Sequence, residues 1–126
     1  MKKIPVSTTN APPAIGPYSQ AMCLGNLIFT SGQLSLNPAS GEMQGSTAAE
    51  QTEQCLANLK AILEGAGSSL DNVVKILVFL ADMSDFSAMN EVCSRWFTGD
   101  YPARSCVAVK ALPRGALVEI EAIAFK

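Results

Sequence analysis

Short runs of alternating apolar and polar residues near the start of the chain predict a β-hairpin. Its two strands are Tyr18–Leu24 and Leu27–Thr30, and Gly25 and Asn26 between them form a typical two-residue turn. Before the hairpin, two prolines in Asn10–Ala14 exclude a helix. We therefore expect an extended loop that leads into the first strand.

A helical pattern follows the hairpin. Thr47 and Glu50 have the spacing of a capping box, in which a hydroxyl and a carboxylate accept hydrogen bonds from the first N–H groups of a helix. Apolar residues then recur every three or four positions, and Gly65 and Gly67 are stop signals. This pattern predicts a first helix over about Ala48–Glu64.

The middle of the chain predicts a buried strand and a second helix. Val73–Leu80 is dense in apolar and β-branched residues, as expected for a central strand that is covered on both faces. Asp82 or Ser84 can cap the helix that follows. Its apolar residues recur at helical spacing from Phe86 to Phe97, and Gly99 ends it.

Two further strands are predicted near the C-terminus, Pro102–Lys110 and Leu117–Phe125, with a turn at Leu112–Gly115 between them. The predicted order is β-β-α-β-α-β-β. This order predicts an α/β (α+β) fold with a single mixed β-sheet and two helices on one face. The 126 residues fit one domain that spans residues 1–126.

Composition narrows the expected partners and location. Hydrophobic residues make up 48% of the chain and charged residues only 16%, so we expect surface to be buried between subunits. The net charge of -2 and the absence of a basic stripe argue against nucleic acid as a partner. The N-terminus lacks a signal-peptide pattern and no apolar run reaches membrane-spanning length, so we expect a cytoplasmic protein without a membrane partner.

The absence of histidine limits the possible chemistry. It excludes Ser-His-Asp and Cys-His catalysis and imidazole acid/base steps. Cys23, Cys55, Cys93 and Cys106 form no CxxC pair and match no zinc-ligand spacing, so we expect reduced core thiols and no metal. Any reaction must therefore use Arg, Glu or Asp, Tyr, Lys, Cys, Ser or backbone groups.

The two C-terminal strands carry the polar residues of greatest interest. Alternation places Arg104 and Cys106 on one face of an otherwise apolar strand, where a guanidinium must be paired or meet an incoming anion. Glu119 and Glu121 share a face of the last strand and can include a general acid/base. Spacing alone leaves an ordinary alternative in each case, a structural ion pair for Arg104 and a solvated or salt-bridged face for the glutamates.

Four other residues also have ordinary alternatives. Tyr18 is most simply a half-buried strand aromatic with a satisfied hydroxyl, and Ser31 is most simply a turn residue. Asn90 is most simply a surface position of a helix. The thiol of Cys106 is most simply inert core.

Several segments together resemble one known family, the Rid (reactive intermediate deaminase, YjgF-like, endoribonuclease L-PSP) family and its RidA-like subgroup. The segments occur in family order, and the resemblance covers almost the whole chain. They are Ala14–Ala21, Phe29–Leu34, Asp85–Val92, and the C-terminal pair Pro102–Val107 and Val118–Ala124.

The resemblance implies a fold like that of chorismate mutase and assembly as a homotrimer. It also implies hydrolysis of 2-imino acids and their enamine tautomers, such as 2-iminobutanoate and 2-iminopropanoate, to 2-oxo acids and ammonia. No cofactor is implied, and small 2-imino and 2-oxo carboxylates are the expected partners.

Matching each position to the family motifs implies a role for each candidate residue. Arg104 would bind the substrate carboxylate, and Glu119 would position and deprotonate the attacking water. The backbone of Cys106 would contact the imine nitrogen. The residues that would shape the pocket are Tyr18, Ser31 and Asn90.

One position departs from the family pattern, and two rival functions remain open. Family members often carry an aromatic residue three positions after the helix asparagine, where this chain has Cys93, so the pocket is expected to be roomier or differently shaped. The first rival is an endoribonuclease or translation inhibitor. The second is a non-enzymatic, chaperone-like module that binds small carboxylates. Chorismate mutase activity would rest on fold analogy alone.

Overall fold

The computed structural model describes residues 1–126 and contains six strands and two α-helices. The strands are β1 (Lys3–Val6), β2 (Ala21–Leu24), β3 (Leu27–Thr30), β4 (Val73–Leu80), β5 (Ala103–Ala108) and β6 (Val118–Phe125), and the helices are α1 (Ala48–Gly65) and α2 (Phe86–Trp96). All strands lie in one sheet in the order β1-β2-β3-β6-β4-β5.

The sheet is mixed because it contains one parallel pair of neighbouring strands among antiparallel pairs. Strands β4 and β5 are parallel and are connected through α2, as a parallel pair requires a long crossover. Every other neighbouring pair is antiparallel. The predicted single mixed sheet with two helices is confirmed.

The hydrophobic core lies between the sheet and the helices. Helix α1 packs against both the sheet and α2. The deeply buried residues of α1 and of the sheet face it covers include Cys55, Leu56, Leu59, Ile62, Leu63, Ile76, Val78, Leu80, Val118 and Ile120. The opposite face of the sheet carries no element of this chain, and several of its large apolar side chains are 40% exposed or more.

Helix α1 begins where the capping box predicts. The hydroxyl of Thr47 accepts a hydrogen bond from the backbone N–H of Glu50, and the carboxylate of Glu50 accepts one from the backbone N–H of Thr47. Inside α1, the buried amide of Asn58 donates to the carbonyl oxygens of Leu34 and Leu36 at 3.0 Å each. These bonds fix the segment that follows β3 against the helix.

Several details of the sequence prediction are wrong. Strand β1 was not predicted, and it forms because Lys3–Val6 pairs along the edge of β2. Strand β2 begins at Ala21 rather than at Tyr18, and β5 ends at Ala108 rather than at Lys110. Neither proposed residue caps α2, because Asp82 instead accepts from the N–H of Ser84 in a short 3₁₀ turn that precedes the helix.

The four cysteines are free thiols, as predicted, and all except Cys106 are buried. Neither α-helix combines the length and the apolar character needed to cross a bilayer.

Candidate functional site

A cleft opens between α2 and the start of β5. It has a volume of about 320 Å³, which is at the small end of the range typical of small-molecule sites. Its lining combines apolar and polar side chains, and consists of Ile76, Asn90, Cys93, Ser94, Phe97, Tyr101, Pro102 and Arg104.

Arg104 is the cationic group of this cleft. Its Nη1 donates a hydrogen bond of 2.8 Å to Oδ1 of Asn90, and its guanidinium carbon lies 5.3 Å from the centre of the Phe86 ring. No carboxylate lies within 4.0 Å of it, since the ion pairs of the chain involve only Lys60 and Arg95 as cations. The alternative of a structural ion pair for Arg104 is therefore wrong within this chain. Its remaining donors are free to meet an anion.

Cys106 lies two residues beyond Arg104 on the same face of β5, as alternation predicted. Ile76 and Val78 of the buried face are their register partners on β4. Burial raises the pKa of the Cys106 thiol above its ordinary value, and the nearby charge of Arg104 opposes that rise only in part. The thiol is thus not activated as a nucleophile.

Glu119 projects from the opposite face of the sheet. Its register partner on β4 is Phe79, which alternates with the helix-facing Val78 and Leu80. Glu121 lies on the same face, as predicted, and neither glutamate forms an ion pair. Burial, and then the charge of Glu121, raise the pKa of Glu119 above that of an ordinary glutamate.

Gly32 packs directly against the carboxylate of Glu119. A methyl group at Gly32 would overlap Oε2 of Glu119 and would lie only 2.9 Å from its Cδ and 3.1 Å from its Cγ. The missing side chain therefore provides the space in which the carboxylate lies. The sequence prediction did not identify this role, although Gly32 lies within the Phe29–Leu34 segment.

Ser31 and Tyr18 lie in loops, Ser31 after β3 and Tyr18 before β2. The Oγ of Ser31 donates to the carbonyl oxygen of Ser19 at 2.6 Å, which ties the end of β3 to the segment that contains Tyr18. Tyr18 is 52% exposed and lies in the loop before β2, so its assignment to a strand is wrong. Its hydroxyl accepts a hydrogen bond of 3.3 Å from the N–H of Ile15.

The predicted site residues thus form two groups. Asn90, Arg104 and Cys106 face the helical side of the sheet, whereas the Glu119 side chain lies on the other side. Strand β4 separates β5 from β6, and the β4 partners of Arg104 and Glu119 are three residues apart along that strand. The two backbones are therefore about 14 Å apart before the opposite side-chain directions are considered. One copy of the chain does not bring the two side chains to one small ligand.

Two aromatic residues beside the group of Asn90, Arg104 and Cys106 were not predicted as parts of a site. Phe86 and Phe97 were assigned to the core stripe of α2, yet the ring of Phe86 lies under the Arg104 guanidinium and Phe97 lines the cleft. The spacing of these two residues does not indicate this second role, because residues that line a cleft and residues that pack in the core recur along a helix with the same period. No group of three or more histidine, cysteine, aspartate or glutamate side chains is arranged to hold a metal ion.

The sequence is similar to those of known proteins from one family. Residues 8–126 match the family model described as Endoribonuclease L-PSP. RutC family protein y4sK of Sinorhizobium fredii is 54% identical over 119 residues, covering 94% of both chains. The 2-iminobutanoate/2-iminopropanoate deaminase of Mus musculus is 51% identical over 119 residues, covering 94% of this chain and 88% of the mouse protein.

Solved structures agree with the sequence matches. The crystal structure of YyfA from Yersinia pestis, described as a protein of unknown function of the conserved Rid protein family, superposes with a TM-score of 0.96 at 44% identity. The match covers 99% of this chain and 100% of that one.

Proposed function

The chain belongs to the endoribonuclease L-PSP, or Rid, family, and from that premise we propose that it hydrolyses 2-iminobutanoate and 2-iminopropanoate to 2-oxo acids and ammonia. The name of the mouse relative supports this choice of substrates. The observation that carries the proposal is the guanidinium of Arg104, which lies in a cleft, is held by Asn90 and Phe86, and has no carboxylate partner.

Arg104 binds the carboxylate of the substrate in this proposal. A planar guanidinium offers two parallel N–H donors that match the two oxygens of a carboxylate, which a lysine ammonium does not. The hydrogen bond to Asn90 uses one N–H of Nη1 and fixes the plane of the group. The substrate is therefore met by a cation whose orientation is already set, which reduces the entropy lost on binding.

Glu119 activates the attacking water. As the water oxygen bonds to C2 of the imine, the C=N electron pair moves to nitrogen and Glu119 takes a proton from the water. The carboxylic acid then returns the proton to nitrogen, which gives a carbinolamine. Glu119 next takes the proton of the new hydroxyl group and passes it to the amine, and the C–N bond breaks as the C=O bond forms, so that ammonia and the 2-oxo acid are released. A carboxylate whose pKa is raised is a better base than an ordinary glutamate, which suits this step.

We place the complete site between two copies of the chain in a homotrimer. One copy contributes Arg104, Asn90 and the backbone of Cys106, and its neighbour contributes Glu119 with Tyr18 and Ser31. The exposed apolar residues on the Glu119 face of the sheet support such an interface. They are Leu24, Leu27, Phe29, Val107 and Phe125, each between 40% and 47% exposed.

Two rival functions have weaker support. Ribonuclease action is suggested by the family description, but the chain has 11 acidic against 9 basic residues and no basic stripe to neutralise phosphates. A module that only binds carboxylates would need Arg104 but has no use for a desolvated base such as Glu119.

A competition assay tests the proposal. A threonine or serine dehydratase generates the imine, semicarbazide competes for it, and the protein is added. We expect the wild-type protein to speed the formation of the 2-oxo acid. Arg104→Ala should lose roughly 10- to 100-fold in kcat/KM, because the charged hydrogen bonds to the substrate are lost. Glu119→Gln should lose about 100-fold or more in kcat and should still bind the product. No acceleration by folded wild-type protein would contradict the deaminase proposal and favour the binding module.

A mixing experiment tests the shared site. Arg104→Ala and Glu119→Gln chains are unfolded together and refolded, and the product is compared with each variant refolded alone. If each site uses both chains, roughly a quarter of the interfaces in a random mixture regain both wild-type residues, and activity returns in that proportion. Light scattering should give about three times the 13.3 kDa of one chain. A mixture as inactive as its parents would exclude a site shared between subunits.

A further inference from the structure

We propose that the cleft beside Arg104 receives the side chain of the substrate, that it prefers 2-imino acids with longer apolar side chains than methyl or ethyl, and that Cys93 sets its depth. The inference rests on the proposed deaminase function, because it assigns Arg104 to the substrate carboxylate. It extends that function from the reaction type to the substrate class.

The cleft combines polar groups with a buried apolar floor. Asn90, Ser94, Tyr101 and Arg104 supply the polar groups. Its most buried lining residues, which we call the floor, are Ile76, Cys93 and Phe97, and they are 1%, 5% and 6% exposed. In a 2-imino acid, the carboxylate and the side chain are both bonded to C2. A carboxylate bound to Arg104 therefore leaves the side chain within reach of this floor.

The size of the cleft exceeds what a short side chain fills. Its volume in one chain, about 320 Å³, falls within the range of pockets that bind whole small molecules, which are much larger than a methyl or ethyl group. A methyl or ethyl group would leave most of the apolar floor covered by water, whereas a branched or thioether side chain would displace it. In hydrophobic pockets each added methylene group that fits raises kcat/KM by about 10-fold or more.

Cys93 limits the depth of the cleft because its inner side packs against the core, so a larger residue would extend into the cleft. Its Sγ lies 3.6 Å from Sδ of Met89, which is fully buried beneath it. Added bulk at Cys93 would extend into the cleft, since the core side is already packed. Burial raises the pKa of the Cys93 thiol to about 11, so the residue acts as a small apolar surface rather than as a nucleophile.

The test compares imines that differ only in side chain. An amino acid oxidase with catalase generates imines from alanine, 2-aminobutyrate, methionine and leucine, and semicarbazide competes with the assembled protein for each. We expect wild-type kcat/KM to rise from the alanine-derived to the leucine-derived imine by at least about 10-fold, which is the gain expected if only one of the three added carbons fits the cleft. Cys93→Phe should abolish this preference, because the added ring would occupy the part of the cleft that receives the longer side chains.

Two further variants separate bulk from loss of the thiol and from misfolding. Cys93→Ala removes the thiol without filling the cleft, so the preference for long side chains should remain. Cys93→Leu adds less bulk than phenylalanine and replaces it in the comparison if Cys93→Phe fails to fold. A preference that is absent in wild type, or that Cys93→Phe and Cys93→Leu leave unchanged, would overturn the inference.

Binding of the 2-oxo products distinguishes this inference from the function on which it rests. Calorimetry compares pyruvate with 4-methyl-2-oxopentanoate on the same variants. If no imine is hydrolysed faster but the longer 2-oxo acid binds about 10-fold more tightly in a Cys93-dependent way, the proposed reaction fails and the cleft assignment stands. Equal binding of the two acids would reject the cleft assignment whatever the outcome for catalysis.

Discussion

Replacing Gly32 with alanine should impair hydrolysis while leaving the fold intact. The new methyl group would overlap Oε2 of Glu119 and lie 2.9 Å from its Cδ, whereas carbon atoms in contact are about 3.5–4.0 Å apart. The carboxylate must therefore move by about 1 Å. A misplacement of that size at a reacting group costs about 100-fold in rate, so we expect kcat to fall by about that factor.

The effect on stability should be small. Gly32 is not among the residues with positive φ, so alanine fits its backbone without strain. Such a replacement stabilises by about 0.4–1 kcal/mol through the unfolded chain, which offsets part of the local crowding. Gly65→Ala, at the end of α1, is the matched control because its new methyl group meets only Thr8, at 3.3 Å, and no candidate site residue.

The assay is the imine competition assay over a range of pH. In Gly32→Ala the displaced carboxylate is more exposed to water, so its pKa should fall towards 4.5 and the acid limb of the pH profile should move down with it. Adding the shorter Glu119→Asp to Gly32→Ala should cost less than the product of the two separate losses, because the shorter carboxylate clashes less. A Gly32→Ala enzyme with wild-type kcat and an unchanged pH profile would refute the reasoning.

Two further predictions concern stability. Asn58→Ala leaves the carbonyl oxygens of Leu34 and Leu36 without their donor, so denaturant unfolding should show a loss of about 2–4 kcal/mol, with Gln54→Ala as a milder control from the same helix. Burial raises the pKa of Glu119 in the folded state, so the protonated side chain stabilises the fold. This stabilisation is fully present below pH 4.5 and is lost as the pH rises through the folded-state pKa. Glu119→Gln should therefore be more stable than wild type at about pH 7 and not at about pH 4, and equal unfolding free energies at both would contradict the assigned burial.

Local signals in the sequence were sufficient for most of the elements. The capping box of Thr47 and Glu50 and the glycine after α1 act within a few residues, so they are readable without the rest of the fold. Strand alternation also placed Arg104 with Cys106, and Glu119 with Glu121, on common faces of their strands. Strand β1 was missed because its pairing with β2 joins segments that are distant in sequence and leaves little trace in either.

The candidate residues could be chosen from the sequence only through resemblance to a family. Spacing alone favoured an ion pair for Arg104, and the absence of a carboxylate beside it became evident only when the packing of α2 against β5 was known. The contact between Gly32 and Glu119 likewise joins the segment after β3 to β6, and no local pattern in either segment indicates it.

The sequence by itself determined which side of its own strand or helix each residue occupies, because the periods of two and 3.6 residues are properties of the local backbone. Only the tertiary structure decided that β4 lies between β5 and β6, so that Arg104 and Glu119 project from opposite faces of one sheet. The order of strands depends on the pairing of distant segments and on the crossover through α2. A periodic pattern contains no information about such neighbours, and so it cannot show that a single chain holds the two halves of a site apart.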